Sequence, residues 1–290
     1  MSARPPLCPD AVALLACPVC GRPLEATADD AALRCGAGHA FDRARQGHVT
    51  LLPPGHRAPS GDSAAMVADR VAFLEAGHYA GVTAAVAEAV AVDGVPASLL
   101  DLGGGTGHHL GGVLDRIPGA VGVVLDSSAY AARRAARAHP RAVAVVADTW
   151  ARLPVRDGVV DRVLIVFAPR NGPEIARVLR PEGRLVVVTP TGEHLRELVG
   201  PLGLLRVDPD KAARLAATLE PDLEPVRTVV HRRELALPRS TAATLVGMGP
   251  HARHTSAEAV EAGLAGLAEP VVVTVSVDVT TYRRRPATDT

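Results

Sequence analysis

The sequence predicts an α/β protein: a parallel sheet covered by helices on both faces, with a small metal-binding module ahead of it. Three observations predict this. Short apolar runs alternate with helical stretches from Ser98 to Thr189, as in parallel strands buried on both sides. A glycine loop, Asp101-Leu102-Gly103-Gly104-Gly105-Thr106-Gly107, follows the first of those runs. Cys17, Cys20, Cys35 and His39 precede it at the spacing of metal ligands.

A chain of 290 residues, 48% of them hydrophobic, has enough apolar surface for one large or two modest domains. The expected division is 1–60 for a metal module and linker and 61–290 for the α/β domain. No apolar run reaches the ~18 residues of a membrane span, and the N-terminus lacks a signal-peptide pattern. The expectation is a cytoplasmic protein without a membrane partner. Formal net charge is +0, and Lys211 is the only lysine. Such a chain has no broad basic field, so any nucleic acid must be met by local arginines.

Residues 1–15 carry prolines and a short apolar stretch, which suggests a loose arm or strand. Residues 16–52 hold the metal cluster and then a short strand pair from Phe41 to Leu52. Breakers from Pro53-Pro54-Gly55 to Pro59-Ser60-Gly61 mark a linker. Asp62 or Ser63 caps a helix with Met66, Val67, Phe73 and Leu74 on one face, and Gly77 stops it. Ser98 to Leu102 is the first buried strand, followed by a helix to about Arg116. Val121 to Leu125 is the second, with a helix from Ala129 to Ala138. Ala142 to Ala147 is the third and Val159 to Phe167 the fourth. A helix from Glu174 to Leu179 leads to the fifth, Arg184 to Thr189. Beyond Pro190 come helical segments, an arginine-rich strand from Arg227 to Leu237, and a closing strand from Val271 to Tyr282.

Cys17-x2-Cys20, fourteen intervening residues, then Cys35-x3-His39 lets two chain corners converge on one tetrahedral ion. Four protein ligands leave no open position, so the expected metal is a single structural zinc. Cys8 remains as a spare thiol, and the pattern suits a reducing compartment better than disulfides.

The glycine loop lacks the third glycine of a dinucleotide fingerprint, because His108 stands there. Its G-x-G-x-G form, with Asp101 two residues ahead, resembles the S-adenosylmethionine loop of class I methyltransferases. The candidate cofactor residues are Asp101, Gly103, Gly105, Gly107, His108 and His109. Asp126 ends the second strand, placed for both ribose hydroxyls. Asp148, Thr149 and Trp150 follow the third, where an adenine would lie, although Trp150 suits core packing equally. Acids at three strand ends favour a cofactor with hydroxyls and an amine; Asp101 would repel a pyrophosphate.

After the fourth strand comes Phe167-Ala168-Pro169-Arg170-Asn171. Pro169 is positioned to offer its carbonyl to an amino or imino group. The Asn171 amide both donates and accepts, as reading a base edge requires. These are the candidate catalytic residues, and both also suit the start of a helix. No general base is evident on this loop.

Together these residues resemble the RlmA family of bacterial 23S rRNA guanine-N1 methyltransferases, most closely its tylosin-type macrolide-resistance branch. The likeness rests on Cys17-Pro-x-Cys20, Cys35-x-x-Gly38-His39-x-Phe41-Asp42-x-Ala44-Arg45-x-Gly47, and Met66 through Phe73-Leu74-x-x-Gly77-His78-Tyr79. It continues in Gly103 through His109, Val166-Phe-Ala-Pro-Arg-Asn171 and Met248-Gly-Pro250. The resemblance implies a Rossmann-like, S-adenosylmethionine-dependent methyltransferase behind an RNA-holding zinc domain. Its target would be N1 of a guanine in the hairpin-35 loop of 23S rRNA, its assembly a homodimer, and its consequence reduced macrolide binding. Family members usually carry an aromatic residue where His48 stands.

Arg22, Arg34, Arg43, Arg45 and Arg57 on the module and linker are the expected phosphate contacts. Arg133, Arg134 and Arg137 suit a solvated helix face, and Arg283 to Arg285 suit either role. Phe41, Tyr79 and Trp150 are the expected stacking platforms. Two other readings fit the same residues. A small-molecule methyltransferase suits the neutral charge and scarce aromatics. A non-catalytic, zinc-dependent RNA-binding protein would need no intact glycine loop.

Overall fold

The computed structural model describes residues 4–56, 61–203, 217–253 and 255–285. Its frame is an eight-stranded sheet in the order β10-β11-β9-β8-β5-β6-β7-β4. The strands are β4 (Val49–Thr50), β5 (Ser98–Leu102), β6 (Val121–Asp126), β7 (Ala142–Val146), β8 (Val160–Val166), β9 (Leu179–Pro190), β10 (Leu223–Leu237) and β11 (Val271–Arg284). From β9 to β4 all neighbours are parallel, whereas β11 runs antiparallel to both β9 and β10. From β5 the chain steps outward to β6 and β7, then crosses back to β8 on the other side of β5. The crevice at its carboxyl end is therefore the switch point where α/β sheets bind ligands.

Every residue of β5 and β7 is buried, which explains the unbroken apolar run of β7 and the three leucines of β5. One face packs on α2 (Ala64–Glu75), α3 (Ala80–Ala91), α4 (His108–Arg116), α5 (Ala129–Ala135), α8 (Arg239–Gly247) and α9 (Ala257–Ala265). Ser63 caps α2 by accepting from Met66 N–H, and Met66, Val67, Phe73 and Leu74 form its buried face as the sequence indicates. The other face packs on α1 (Pro9–Val12) and α6 (Gly172–Val178). The apolar-rich helix α7 (Arg196–Leu202) follows β9.

Two N-terminal expectations are corrected. Among the described residues 4–15 no strand forms: Pro9–Val12 is a helical turn whose Ala11 and Val12 are buried in the sheet's second core. The Phe41–Leu52 segment is also not one strand pair. β3 (Ala40–Asp42) pairs with β2 (Ala32–Cys35), itself paired with β1 (Leu24–Ala26). Val49 and Thr50 instead pair in parallel with Val145 and Val146 of β7, leaving only a bridge between Arg43 and Val49. The open edge of β7 offers backbone partners that a two-residue hairpin arm cannot supply. The later strands are longer than expected, since β10 and β11 brace each other over their lengths.

Candidate active site and metal centre

The three-stranded ribbon β1–β2–β3 brings the first cluster together. Tight turns return Gly21 N–H to Cys17 O at 2.8 Å and Gly38 N–H to Cys35 O at 2.9 Å. These turns aim Cys17, Cys20, Cys35 and His39 at one point, with all four ligand atoms within 4.8 Å of one another. Cys20 and Cys35 sulfurs are 3.7 Å apart, and His39 Nδ1 lies 3.6 Å from Cys17 Sγ and 3.4 Å from Cys35 Sγ. Tetrahedral zinc, with bonds of about 2.3 Å to sulfur and 2.0 Å to nitrogen, requires edges of roughly 3.5–3.8 Å. The donor set fits zinc, and His39 presents Nδ1 to it.

The second cluster lies at the carboxyl ends of β5, β6 and β7. Gly103, Gly105 and Gly107 have φ of 66°, 56° and 75°, a region that residues with a Cβ enter only at a cost. A Cβ on Gly103 would also come 2.5 Å from that of Ala168. The loop thus bends tightly beneath the end of β8. Asp101 is buried under it, and neither carboxyl oxygen has a hydrogen-bond partner among the described residues. Burial, with the nearby Asp126 charge, pushes its pKa up to about 7. Asp126 accepts from Gly105 N–H at 2.9 Å and Ser128 N–H at 2.7 Å. Burial raises its pKa, and those bonds oppose the rise.

Asp148 accepts Trp150 N–H at 2.9 Å on Oδ1, while Oδ2 lies 2.8 Å from His56 Nε2. Trp150 is 58% exposed, so the core-packing alternative for it is corrected. Thr149 is part of the same turn and half-buried. His108 and His109 open α4. His109 Nδ1 lies 2.8 Å from Thr83 Oγ1, and burial pulls its pKa down to about 3.

Past β8, Phe167 has φ 56° and is 42% exposed. Pro169 is exposed beside it. Asn171 donates its amide N–H groups to the carbonyls of Thr149, Trp150 and Ala151 at 3.3, 3.0 and 3.4 Å. The base-reading expectation for Asn171 is revised accordingly: those donors hold the loop that displays Trp150. Its side chain makes no helix-capping bond either, although Asn171 stands at the α6 N-cap.

The arginines also divide. Arg43 is buried, ion-paired to Asp30 at 2.6 Å and bonded to Gly47 O at 2.9 Å and to Pro5 O. It braces the module and is withdrawn as an RNA contact. Arg22, Arg34 and Arg45 are exposed, and Arg57 lies outside the described residues. Arg133 and Arg134 are exposed on α5, with the Arg133 guanidinium 5.2 Å from the Tyr130 ring centroid. Arg283 and Arg285 are ion-paired with Glu224. Tyr79 is 3% exposed, which removes it as a stacking platform. Phe41 is half-buried against the second core.

Known proteins match both clusters. The family described as "RlmA, N-terminal", a zinc ribbon, matches residues 15–58, and a methyltransferase domain family matches residues 100–187. A 23S rRNA (guanine-N1)-methyltransferase of Micromonospora griseorubida is 54% identical over 95% of this chain and 99% of its own. The chain belongs to the 23S rRNA (guanine-N1)-methyltransferase family. A second member, the 23S rRNA (guanine(748)-N1)-methyltransferase of Streptomyces fradiae, is 47% identical over 95% of this chain and 98% of its own. A third, from Bacillus subtilis, is 30% identical over 63% of this chain and 66% of its own. As a family member, the protein is an S-adenosylmethionine-dependent methyltransferase that carries a structural zinc. No helix of the described residues is long and apolar enough to cross a membrane.

Four residues escape the sequence reading. Arg70 of α2 donates to Met248 O at 2.9 Å, pairs with Asp62 at 2.5 Å, and leans over Gly105. His56 reaches Asp148 across 92 positions of sequence, a contact that no local pattern announces. His194 joins Phe167 through a loop after β9. For Phe167 a signal existed, since an aromatic residue directly after a buried strand belongs on the ligand side of the sheet.

Proposed function

We propose that this methyltransferase acts on N1 of a guanine in the hairpin-35 loop of 23S rRNA and thereby protects the ribosome against tylosin-type macrolides. One observation carries the reading. A complete zinc-ligand tetrahedron stands ahead of an intact cofactor loop, in a chain alike over 95% of its length to enzymes named for that reaction. A small-molecule methyltransferase has no need of the ribbon.

In this reading residues 1–60 hold the RNA and residues 61–290 bind the cofactor and the target base. Arg22, Arg34 and Arg45 meet phosphates, and the base leaves its stack to reach the sheet's carboxyl edge. Asp126 holds the ribose, Asp148 to Trp150 receive the adenine, and the 103–109 loop with Asp101 seats the amino-acid end. Pro169 lines the approach of the base. S-adenosylmethionine supplies an already activated methyl group, so the protein contributes chiefly alignment and exclusion of water. A cytoplasmic homodimer completes the reading. The exposed valines Val226, Val229 and Val230 on edge strand β10 support that assembly.

The test is methyl transfer from labelled S-adenosylmethionine to unmodified bacterial 23S rRNA, with the nucleoside identified by mass spectrometry. The expected product is 1-methylguanosine at a single position. Cofactor binding without transfer to RNA would move the assignment to a small-molecule acceptor.

A further inference from the structure

The guanine must be gripped, and its N1 proton must leave, yet the loop after β8 offers no base. The loop after β9 bears on both needs. Residues Thr191 to Leu195 are pinned to β11. Thr191 N–H donates to Ser276 O at 3.0 Å, the Thr191 and Ser276 hydroxyls meet at 2.7 Å, and Leu195 N–H donates to Thr274 O at 2.7 Å. The pinning carries the His194 ring to 5.7 Å from that of Phe167, the two planes tilted by only 31°. Tyr79 closes the group from below, at 6.2 Å from Phe167 and 6.5 Å from His194.

Two details give this group direction. Phe167 is held at positive φ and 42% exposed, a costly conformation for a bulky side chain, and such strain collects at ligand sites. Ser276 N–H points at His194 Nδ1 from 3.3 Å. A backbone N–H can only donate, so Nδ1 accepts and the ring proton of the neutral imidazole sits on Nε2. Nε2 has no hydrogen-bond partner among the described residues and is not among the buried unsatisfied atoms. Burial draws the His194 pKa down to about 4, so the ring is neutral at physiological pH and is a donor at Nε2.

We propose that Phe167 and His194 form the acceptor-base subsite of this enzyme. Phe167 stacks on the purine, and His194 Nε2–H donates to guanine O6. The assignment rests on the guanine-N1 reading above and deepens it. The chemistry balances without a protein base. The N1 proton passes to water, and the negative charge left on N1 and O6 is stabilised by the Nε2–H donor. The N1 lone pair then forms the N–C bond as the S–C bond of the cofactor breaks, leaving a neutral thioether. His194 thus acts on charge that develops during reaction, where a fixed donor is most effective.

The test compares variants of the full-length zinc-loaded protein on unmodified 23S rRNA. Zinc content and S-adenosylhomocysteine affinity report the fold. His194→Asn keeps an acceptor near the Nδ1 position and removes the Nε2 donor. It is expected to lower kcat about 10²-fold while leaving S-adenosylhomocysteine affinity and KM for the cofactor unchanged. His194→Gln returns a donor near the Nε2 position and should recover most of that loss. Phe167→Ala should raise KM for RNA about tenfold or more, and Phe167→Tyr should not. If His194→Asn turns over like the wild type, or Gln fares no better than Asn, the donor role is overturned. An unchanged RNA KM in Phe167→Ala overturns the stacking role. A wild-type protein that binds S-adenosylhomocysteine but makes no 1-methylguanosine overturns the guanine reading, and this assignment with it.

Discussion

His56 Nε2 lies 2.8 Å from Asp148 Oδ2, tying the chain that leaves the zinc ribbon to the end of the third parallel strand. In the proposed reading Asp148 takes the adenine amine, and its side chain is only 10% exposed. The imidazole and the amine therefore contend for one oxygen. His56→Ala is expected to bind S-adenosylhomocysteine more tightly by about 3- to 10-fold, the worth of one exchanged hydrogen bond. Titration calorimetry on both proteins decides it. Weaker binding by the variant would mean that His56 supports the adenine end instead of competing for it.

Arg43 and its exposed neighbours separate bracing from RNA contact. The Arg43 side chain is 2% exposed, and its guanidinium satisfies the Asp30 carboxylate and the backbone carbonyls of Pro5, Asp30 and Gly47. Removing one partner of such a set leaves the others unpaired, so Arg43→Ala should cost about 2–4 kcal/mol in denaturant unfolding. Arg34→Ala and Arg45→Ala should leave stability unchanged. Each should instead weaken RNA binding and lower the salt slope of log K by about 1. An Arg34 variant with an unaltered slope would remove that residue from the RNA surface.

Zinc holds more than its own ribbon. Cys17, Cys35, Leu24 and Leu33 belong to the same apolar cluster as Leu100, Leu125 and Val145 of the large sheet. Releasing the ribbon therefore uncovers one face of the cofactor-binding frame. Cys20→Ser, or chelation of the wild type, should remove the zinc and lower the thermal midpoint by on the order of 10 °C. Metal analysis and calorimetry would show this. A separate early transition with an unchanged main midpoint would mean that the two parts unfold independently.

The contrast between β5 and β4 shows what the sequence made legible. Ser98 to Leu102 is buried throughout, so leucine fills three of its five positions, and the loop after it needed residues that tolerate positive φ. Both constraints are local and visible in order. Val49 and Thr50 are a strand only because β7 has an open edge, which no neighbour in sequence reports. The site divides in the same way. Cys17 to His39 and Asp101 to Gly107 are defined by spacing. His56, Arg70 and His194 gain their meaning from contacts tens of residues away. Asn171 shows the converse: its chemistry suits a base edge, but the fold commits its donors to the Trp150 loop.

Asp101 makes ligand-free stability depend on pH in an unusual direction. Its folded pKa, raised to about 7 by burial and by Asp126, lies above the roughly 3.9 of an unfolded aspartate. Between those values the folded state keeps a proton that the unfolded state has lost. This group therefore destabilises the fold progressively as pH rises from about 4 to 7, and the full penalty persists above 7. Asp101→Asn removes the charge while nearly keeping the shape. It should match the wild type at pH 4 and exceed it at pH 8 by on the order of a few kcal/mol, in urea unfolding without cofactor. In the wild type, cofactor binding at pH 7 should release protons if the cofactor's ammonium draws Asp101 into its ionised form. Calorimetry in buffers of different ionisation enthalpy would reveal that release. An Asp101→Asn protein that gains nothing between pH 4 and 8 would show that the buried carboxyl is already ionised and partnered in solution.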